Sequence, residues 1–298
     1  MRSDQISLIV STYERPGALE QVLEGVRRQS DMPGEILIAD DGSGPATREA
    51  IGRWQGKLAA PLRHLWQPNL GFRKTLILNQ SVAAARGGYI VLLDGDCVPH
   101  PKFVADHADL AEEGFWVQGR RCFVREKFAA EFCAGTTPIG RWMLAGRIGG
   151  APKGVRLPWP MVRRNRGQRG IIGCNMGIWR EDFIAVNGFD EDYTGWGQED
   201  SDLGTRLYHL GRPRKFVYGR AIVYHLNHPA GSRSDLRESR KRLAETIRSG
   251  KIRCERGIEQ YLGGKDLGTS APPPGRLGEA SLPEGEEGPA PIAGFETI

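Results

Sequence analysis

The sequence predicts an α/β protein built on a sheet with helices on both faces, and two observations indicate this. Over residues 1–118, short apolar runs alternate with segments of helical periodicity. Loops rich in aspartate and glycine follow two of these runs, as is typical of the carboxyl ends of strands in open α/β sheets. Strands that alternate with helices at this spacing form a parallel sheet. A chain of 298 residues can also bury a substantial core.

The predicted elements can be placed along the chain from their periodicity. Strands are expected at residues 5–10, 35–39, 62–66, 89–93, 115–118, 171–179 and 216–224. Helices are expected to begin at Pro16 and Pro45, because proline is favoured at the first helical position. Residues 234–262 are also helical in pattern. Residues 120–170 lose periodicity and gain basic side chains, which indicates either a functional lid or binding loop or a solvated basic surface.

The net charge of +5 is unevenly distributed. Residues 263–298 are acidic and rich in proline and glycine, which predicts a disordered tail. The rest of the chain is therefore strongly basic, and a basic body suits nucleotides or membrane surfaces. Residues 234–262 form either a basic helix that lies on anionic lipid or a solvated helix packed on the main domain. No zinc-finger or RNA-binding signature is present, so nucleic acid is not an expected partner.

The cysteines and the apolar runs bear on the compartment. The five cysteines are scattered and form no CxxC pair. This spacing argues against a zinc site or a disulfide framework, and for reduced thiols in a cytoplasmic protein. No apolar run approaches the roughly 20 residues that a membrane-spanning helix needs, and the first residues do not resemble a signal peptide. The expected location is cytoplasmic, with peripheral contact at the inner face of a membrane as an additional hypothesis.

The strongest chemical signal is an Asp-Gly-Asp sequence at the end of a predicted buried strand. Residues 89–93 lead into Asp94, Gly95 and Asp96, which would emerge at the edge of a cleft. Gly95 lets the chain turn sharply, so both carboxylates could approach one ion. Hard oxygen ligands suit Mg²⁺ or Mn²⁺, and such ions usually accompany a phosphate or diphosphate. Taken alone, the same residues could form an ordinary turn.

Three further groups of polar residues could complete such a site. Asp40 and Asp41 end another predicted strand, and Glu199 with Asp200 opens a predicted helix. A late histidine, His225 or His228, could add an imidazole ligand, which shifts the expected metal toward Mn²⁺. Each group also has an ordinary interpretation, since aspartates form turns, acids stabilise helix N-termini and single histidines often pack in cores.

In combination these segments resemble a known family. The runs Ser-Thr-Tyr-Glu-Arg-Pro at 11–16, Ile-Ala-Asp-Asp-Gly-Ser at 38–43 and Leu-Leu-Asp-Gly-Asp at 92–96 resemble the family 2 glycosyltransferases of the GT-A fold. Gly-Phe-Asp-Glu at 188–191 and Trp-Gly-Gln-Glu-Asp-Ser-Asp at 196–202 resemble the C-terminal part of β-1,4-galactosyltransferases. The resemblance spans roughly residues 5–230. It implies a Rossmann-like, nucleotide-binding mixed sheet flanked by helices.

The resemblance also implies an organisation and a set of site residues. The catalytic domain would cover residues 1–233, with a nucleotide-sugar half at 1–118 and an acceptor and metal half at 170–230, followed by the basic helix and the tail. Asp200 would be the catalytic base, with Glu199 gripping the acceptor. Asp94, Asp96 and His225 would hold Mn²⁺ or Mg²⁺. The donor would contact Ser11, Tyr13, Glu14, Asp40, Asp41, Gly71, Arg73, Lys74, Asp94 and Trp196, with Tyr13 and Asp41 at the uracil base.

The implied reaction is transfer of a hexose or hexosamine from a UDP-sugar to a glycan or lipid-linked glycan. A carboxylate at Asp200 favours inversion, since a retaining group of related enzymes has asparagine there. Gln198 departs from the galactosyltransferase pattern, which has glycine, and this leaves the donor and acceptor open. A nucleotidyltransferase is an alternative, but it should have a glycine-rich phosphate loop where this chain has residues 11–16. The second alternative is an inactive module that binds a nucleotide sugar.

Overall fold

The structure, a computed structural model, describes residues 1–133, 136–150, 153–165, 170–228 and 236–263. The predicted disordered tail lies outside these ranges except for its first residue, and so does the predicted start of the basic helix at Ser234. The strands are β1 Ile6–Thr12, β2 Glu35–Asp40, β3 Leu62–Trp66, β4 Tyr89–Asp94, β5 Cys97–Pro99, β6 Trp116–Gln118, β7 Arg120–Val124, β8 Ile148–Gly149, β9 Met161–Asn165, β10 Asn175–Trp179, β11 Arg214–Tyr218 and β12 Ile222–Leu226. The α-helices are α1 Pro16–Arg27, α2 Pro45–Trp54, α3 Lys74–Ala84, α4 Phe103–Leu110, α5 Ile139–Leu144, α6 Arg180–Ala185, α7 Glu199–His209 and α8 Leu236–Ser249.

The larger sheet is mixed, as the resemblance implies. Its order is β3-β2-β1-β4-β10-β6-β11-β9. The strands β1 to β4 are mutually parallel, whereas β10 runs antiparallel to β4. The parallel strands end on the same edge of the sheet, and that edge therefore collects the loops that follow β1, β2 and β4.

The two faces of this sheet pack against different helices. Along β1, Leu8 and Val10 face a core that includes α1, while Ile9 faces a core that includes α3. Successive side chains of a strand point to opposite faces, so a strand buried on both faces is apolar at every position. This explains the continuous apolar runs from which β1, β2 and β4 are predicted, whereas the edge strand β3 is only partly buried.

A smaller sheet stands beside the carboxyl ends of the larger one. Its order is β5-β12-β7-β8. Strand β5 begins one residue after Asp96 and pairs antiparallel with β12, which places His225 opposite Cys97. The Asp-Gly-Asp turn therefore connects the two sheets.

The structure corrects several predicted elements. The expected strand at 216–224 is two strands in different sheets, separated by a turn in which Gly219 and Ala221 both have positive φ. The expected strand at 171–179 begins only at Asn175. The segment 120–170 is not irregular throughout, since it contains β7, α5, β8 and β9. The expected helix at 234–262 ends at Ser249, where Gly250 adopts a positive φ that ends helices readily.

Helix α8 packs on α7 through polar contacts. Arg206 is fully buried and donates to Asp202 Oδ2 at 2.8 Å and to the carbonyls of Val186 and Gly188. The second Asp202 oxygen accepts from Thr246 of α8 at 2.7 Å. Several basic side chains of this segment are paired with acids: Lys241 with Glu238, Arg242 and Arg256 with Asp192, Arg248 with Glu245, and Arg253 with Glu259. The expected contact with anionic membranes stays a prediction. Among the residues described, no helix is both long and apolar enough to cross a bilayer.

We predict that Arg206→Leu lowers the free energy of unfolding by about 3–5 kcal/mol, because it leaves the buried Asp202 carboxylate without its ionic partner. Urea denaturation measures this change. Arg248→Leu is the matched control, since Arg248 is exposed and pairs with Glu245 three residues away on the same helix. It should change stability by less than about 0.5 kcal/mol. Equal effects of the two substitutions would contradict the role given to Arg206.

Candidate active site

The edge formed by the carboxyl ends of β1, β2 and β4 collects most of the predicted site residues. Ser11 and Asp94 are paired in the register of β1 and β4, and Ser11 Oγ donates to Asp94 Oδ1 at 2.9 Å. The start of α7 brings Glu199 and Asp200 to the same place, and a cavity is lined by Ser11, Asp94, both of these acids and Lys74. The site therefore joins residues that are more than 100 positions apart in the chain.

Lys74 is the central cation of this cavity. Its Nζ lies 2.6 Å from Asp94 Oδ1. Burial alone would lower the pKa of Lys74, but the carboxylates of Asp94 and Glu199 outweigh it and raise that pKa above its ordinary value. Burial likewise opposes ionisation of Asp94, yet Lys74 keeps its pKa below the usual range. The two groups form a charged pair at neutral pH.

Glu199 and Asp200 differ in their hydrogen bonds. Asp200 Oδ2 accepts from the backbone N–H of Gly173 at 2.7 Å, and Oδ1 accepts from that of Ser201 at 2.6 Å. Glu199 is 9% exposed, and its Oε2 has no hydrogen-bond partner among the described residues. Burial and the neighbouring Asp200 carboxylate raise the pKa of Glu199 to about 7. Burial also raises the pKa of Asp200. The pair therefore holds a carboxylate fixed by backbone donors beside an acid that titrates near neutrality.

Asp96 belongs to a second group of side chains, on the side of the smaller sheet. Its Oδ1 lies 3.6 Å from His225 Nε2, and its Oδ2 lies 3.1 Å from His228 Nε2. These ligand atoms lie within 4.8 Å of one another. The Arg15 guanidinium also pairs with Asp96 Oδ2, at 2.9 Å. Burial lowers the pKa of His225, which keeps its ring neutral and able to bind a metal. A carboxylate with two imidazoles is a donor set that suits Mn²⁺.

The expected metal ligands Asp94, Asp96 and His225 stay a prediction, and the structure places them in two groups. His225 does meet Asp96, but His228 joins it at a shorter distance. Asp94 instead contacts Lys74 and Ser11. The physical reason is the turn at Gly95, whose N–H donates to the carbonyl of Ser11 and which sends the two aspartates to different sheets.

The loops after β1 and β2 form a connected surface beside this cavity. Tyr13 is 48% exposed, and its hydroxyl accepts from Asn69 Nδ2. Asp41 accepts from Gln67 and from the backbone N–H of Arg73, while burial raises its pKa. These contacts join the loops after β1, β2 and β3 and leave the Tyr13 ring available to a ligand.

Other residues that were predicted to contact the sugar donor form contacts within the protein itself. Asp40 is fully buried between His64 Nε2 at 2.9 Å and the Ser43 N–H at 2.8 Å, as in the turn-forming interpretation. Glu14 Oε1 accepts from the N–H of Gly44. Gly71 has a φ of +84°, a conformation that favours glycine, so its part in the loop is conformational. Trp196 is 47% exposed and lies just before α7.

Comparison with known families confirms the resemblance to family 2 glycosyltransferases. Residues 7–131 match the family model described as Glycosyl transferase family 2, and residues 159–229 match the one described as N-terminal domain of galactosyltransferase. The N-terminal part of this chain is a family 2 glycosyltransferase domain. The family model covers β1 to β4 and the Asp-Gly-Asp turn, and the galactosyltransferase match covers α7 and both histidines.

Relatives of this family 2 domain act in several kinds of sugar transfer. Validoxylamine A glucosyltransferase of Streptomyces hygroscopicus subsp. limoneus is 28% identical over 222 residues, which cover 70% of this chain and 49% of the relative. Chondroitin synthase of Escherichia coli is 23% identical over 270 residues, or 84% of this chain and 38% of the synthase. The chain spans about half the length of the glucosyltransferase it matches.

Solved structures share the fold of the family 2 domain. TarS of S. aureus has a TM-score of 0.58 at 15% identity, covering 88% of this chain and 41% of TarS. A form comprising residues 1–349 of TarS was solved with UDP. The mannosyltransferase PcManGT from Pyrobaculum calidifontis, in complex with GDP-Man and Mn²⁺, has a TM-score of 0.53 at 18% identity, covering 87% of this chain and 68% of PcManGT. The chain therefore has the GT-A fold.

Two contributors to the site were not predicted from the sequence: Arg15 pairs with Asp96, and the Gly173 N–H holds Asp200. Lys74 was predicted as a donor contact, and the structure pairs it with Asp94. Arg15 lies within the motif at 11–16, so its position carried a signal. The Gly173 contact depends on a backbone N–H, which every residue type except proline would offer.

We predict that Glu199→Gln stabilises the protein at pH 8 but not at pH 4. The folded chain binds the Glu199 proton more tightly than the unfolded chain, so the wild type loses stability as the pH rises from 4.5 to about 7. The neutral amide removes this loss and should raise the free energy of unfolding at pH 8 by roughly 2 kcal/mol. Urea denaturation at both pH values measures it, with the exposed Glu245→Gln as control. A pH-independent difference from the wild type would refute the raised pKa.

Proposed function

We propose that this chain is a metal-dependent, inverting glycosyltransferase that moves a hexose or hexosamine from a UDP-sugar to a hydroxyl of a glycan or lipid-linked glycan. One observation carries the proposal. The Asp200 carboxylate and the Lys74–Asp94 pair line one cavity, and the Asp96–His225–His228 group begins two residues after Asp94, across the turn at Gly95. An acceptor base, a charged donor site and a metal site are the three parts that such a transfer requires.

The metal site is proposed at Asp96, His225 and His228. The Arg15 guanidinium, 2.9 Å from Asp96, shows that this carboxylate already attracts a cation. Mn²⁺ or Mg²⁺ at these ligands would neutralise charge that develops on the leaving diphosphate. Arg15 could then turn to the phosphates.

The donor is proposed to lie between the Tyr13 loop and the Asp-Gly-Asp turn. The exposed Tyr13 ring offers a surface for a pyrimidine base, and Asp41 is fixed nearby by Gln67 and Arg73. UDP rather than GDP is proposed from the motif resemblance and from the UDP complex of TarS. Lys74 holds Asp94 in place and compensates its charge, and this is a more specific role than binding phosphates directly.

The acceptor hydroxyl is proposed to transfer its proton to Asp200. Two backbone N–H groups fix the Asp200 carboxylate, so its orientation does not depend on mobile side chains. Attack by the acceptor oxygen on the anomeric carbon breaks the bond to the diphosphate in one in-line step, which inverts the configuration. Glu199 is proposed to contact the acceptor, and the exposed Trp196 to offer it an apolar face.

We predict that Asp200→Asn lowers kcat by at least about 100-fold, because a positioned general base contributes about 10²–10⁴-fold. The Kd of UDP measured by calorimetry should stay unchanged, since the amide keeps the size of the side chain. Asp192→Asn is the control, because this acid pairs with Arg242 and Arg256 away from the cavity. Turnover close to that of the wild type in Asp200→Asn would reject Asp200 as the base.

We also predict that UDP binding requires the divalent ion. Asp96→Asn, His225→Ala and His228→Ala should each weaken Mn²⁺-dependent UDP binding at least about tenfold, because each removes one ligand. His209→Ala is the control, since its ring contacts the Lys251 carbonyl instead. Calorimetry with Mn²⁺ and with EDTA measures the effect. Equal UDP affinity in both solutions would exclude the metal site.

A further inference from the structure

Two cysteines meet the Asp94 carboxylate behind the Asp-Gly-Asp turn. In the antiparallel register of β10 and β4, Asn175 pairs with Leu93, so Cys174 stands across from Asp94. Cys97, which is the first residue of β5, also lies next to Asp94. One ligand atom from each of these three side chains lies within 4.8 Å of the others. Both cysteines are free thiols and almost completely buried.

The surrounding charges suit a bound cation with thiolate ligands. Two thiolates and one carboxylate around a divalent ion leave a net charge of −1. The Arg121 guanidinium donates to Cys174 Sγ at 3.8 Å, and the Lys74 ammonium lies 2.6 Å from Asp94. These two cations can offset the negative charge and orient the ligands, as outer-shell hydrogen bonds do in metal sites. The group is therefore more than a pair of neighbouring thiols in an apolar core.

We propose that Asp94, Cys97 and Cys174 form a second metal site, for a soft or borderline divalent cation such as Zn²⁺ or Cd²⁺. Sulfur ligands select such ions, whereas Mg²⁺ and Mn²⁺ favour oxygen ligands. Binding forms two metal–sulfur bonds and releases the two thiol protons to solvent, with no change of oxidation state. Three protein ligands leave a fourth tetrahedral position for water. The scattered spacing of the cysteines argues against a zinc site at the level of the sequence, which does not show that these three segments meet.

The site also touches the proposed Mn²⁺ site. Cys97 Sγ donates to Asp96 Oδ1 at 3.5 Å, and a bound cation would share the Asp94 carboxylate with Lys74. The contacts of both carboxylates in the Asp-Gly-Asp turn would therefore change when a cation binds to Asp94, Cys97 and Cys174. The proposal rests on the described ligand geometry and not on the transfer reaction, and its test measures metal binding alone.

Titration of the reduced, metal-free full chain with Cd²⁺ tests the proposal. Thiolate–Cd²⁺ bonds give a charge-transfer absorption in the ultraviolet. We expect this band to saturate at one Cd²⁺ per chain and to disappear when Zn²⁺ displaces Cd²⁺. Addition of Mn²⁺ should leave the absorption unchanged. Cys97→Ser and Cys174→Ser should each remove most of the band and weaken Cd²⁺ binding at least about tenfold. Asp94→Asn should weaken binding and keep the band.

Cys133→Ser is the control, because Cys133 lies outside the cluster and should not change the titration. Circular dichroism and the urea midpoint establish that each variant is folded, and Cys97→Ala and Cys174→Ala provide second variants. A wild-type chain without the band would overturn the proposal, and so would a band that survives in folded variants of both Cys97 and Cys174. Loss of the band together with unchanged Asp96-dependent Mn²⁺ binding would separate this site from the proposed catalytic one.

Discussion

The ion pair between Lys74 and Asp94 is the interaction on which the rest of the site depends. Asp94, Glu199 and Asp200 bring three acidic groups into one cavity, and like charges this close repel one another. Lys74, 2.6 Å from Asp94, supplies the compensating charge. Even so, burial and the neighbouring Asp200 carboxylate raise the pKa of Glu199 to about 7. The site stores unfavourable electrostatic energy that the surrounding fold must offset.

The turn at Gly95 distributes the acidic groups between two sheets. A Cβ at this position would lie 2.7 Å from the Ser11 carbonyl oxygen, so only glycine fits without a shift of the backbone. As a result Asp94 stays beside Ser11 and Lys74, while Asp96 turns to His225 in β12 and His228 just after it. One residue thus separates the Lys74 cavity from the Asp96–His225–His228 group, and the buried thiols of Cys97 and Cys174 lie beside Asp94.

A buried network away from the cavity holds the helix that carries two of the acidic groups. Helix α7 carries Glu199 and Asp200 at its start, and Arg206 anchors its middle to Asp202 and to the carbonyls before Phe189. Thr246 then fixes α8 to the same aspartate. This buried network over-determines the position of the helix, which lets two neighbouring acids remain desolvated at its N-terminus. The backbone donors of Gly173 and Ser201 complete the constraint on Asp200.

By itself the sequence determined the elements whose signal is local. Strands β1 to β4, the loops that follow them and the acidic pairs could be predicted, because apolar periodicity and turn residues are read within a few positions. The tertiary structure decided what depends on register between distant segments: the split of 216–224 between two sheets, the approach of His228 to Asp96, the burial of Lys74 and the meeting of Cys97 with Cys174. These contacts join residues from separate strands and loops, and no short-range pattern encodes which strand pairs with which.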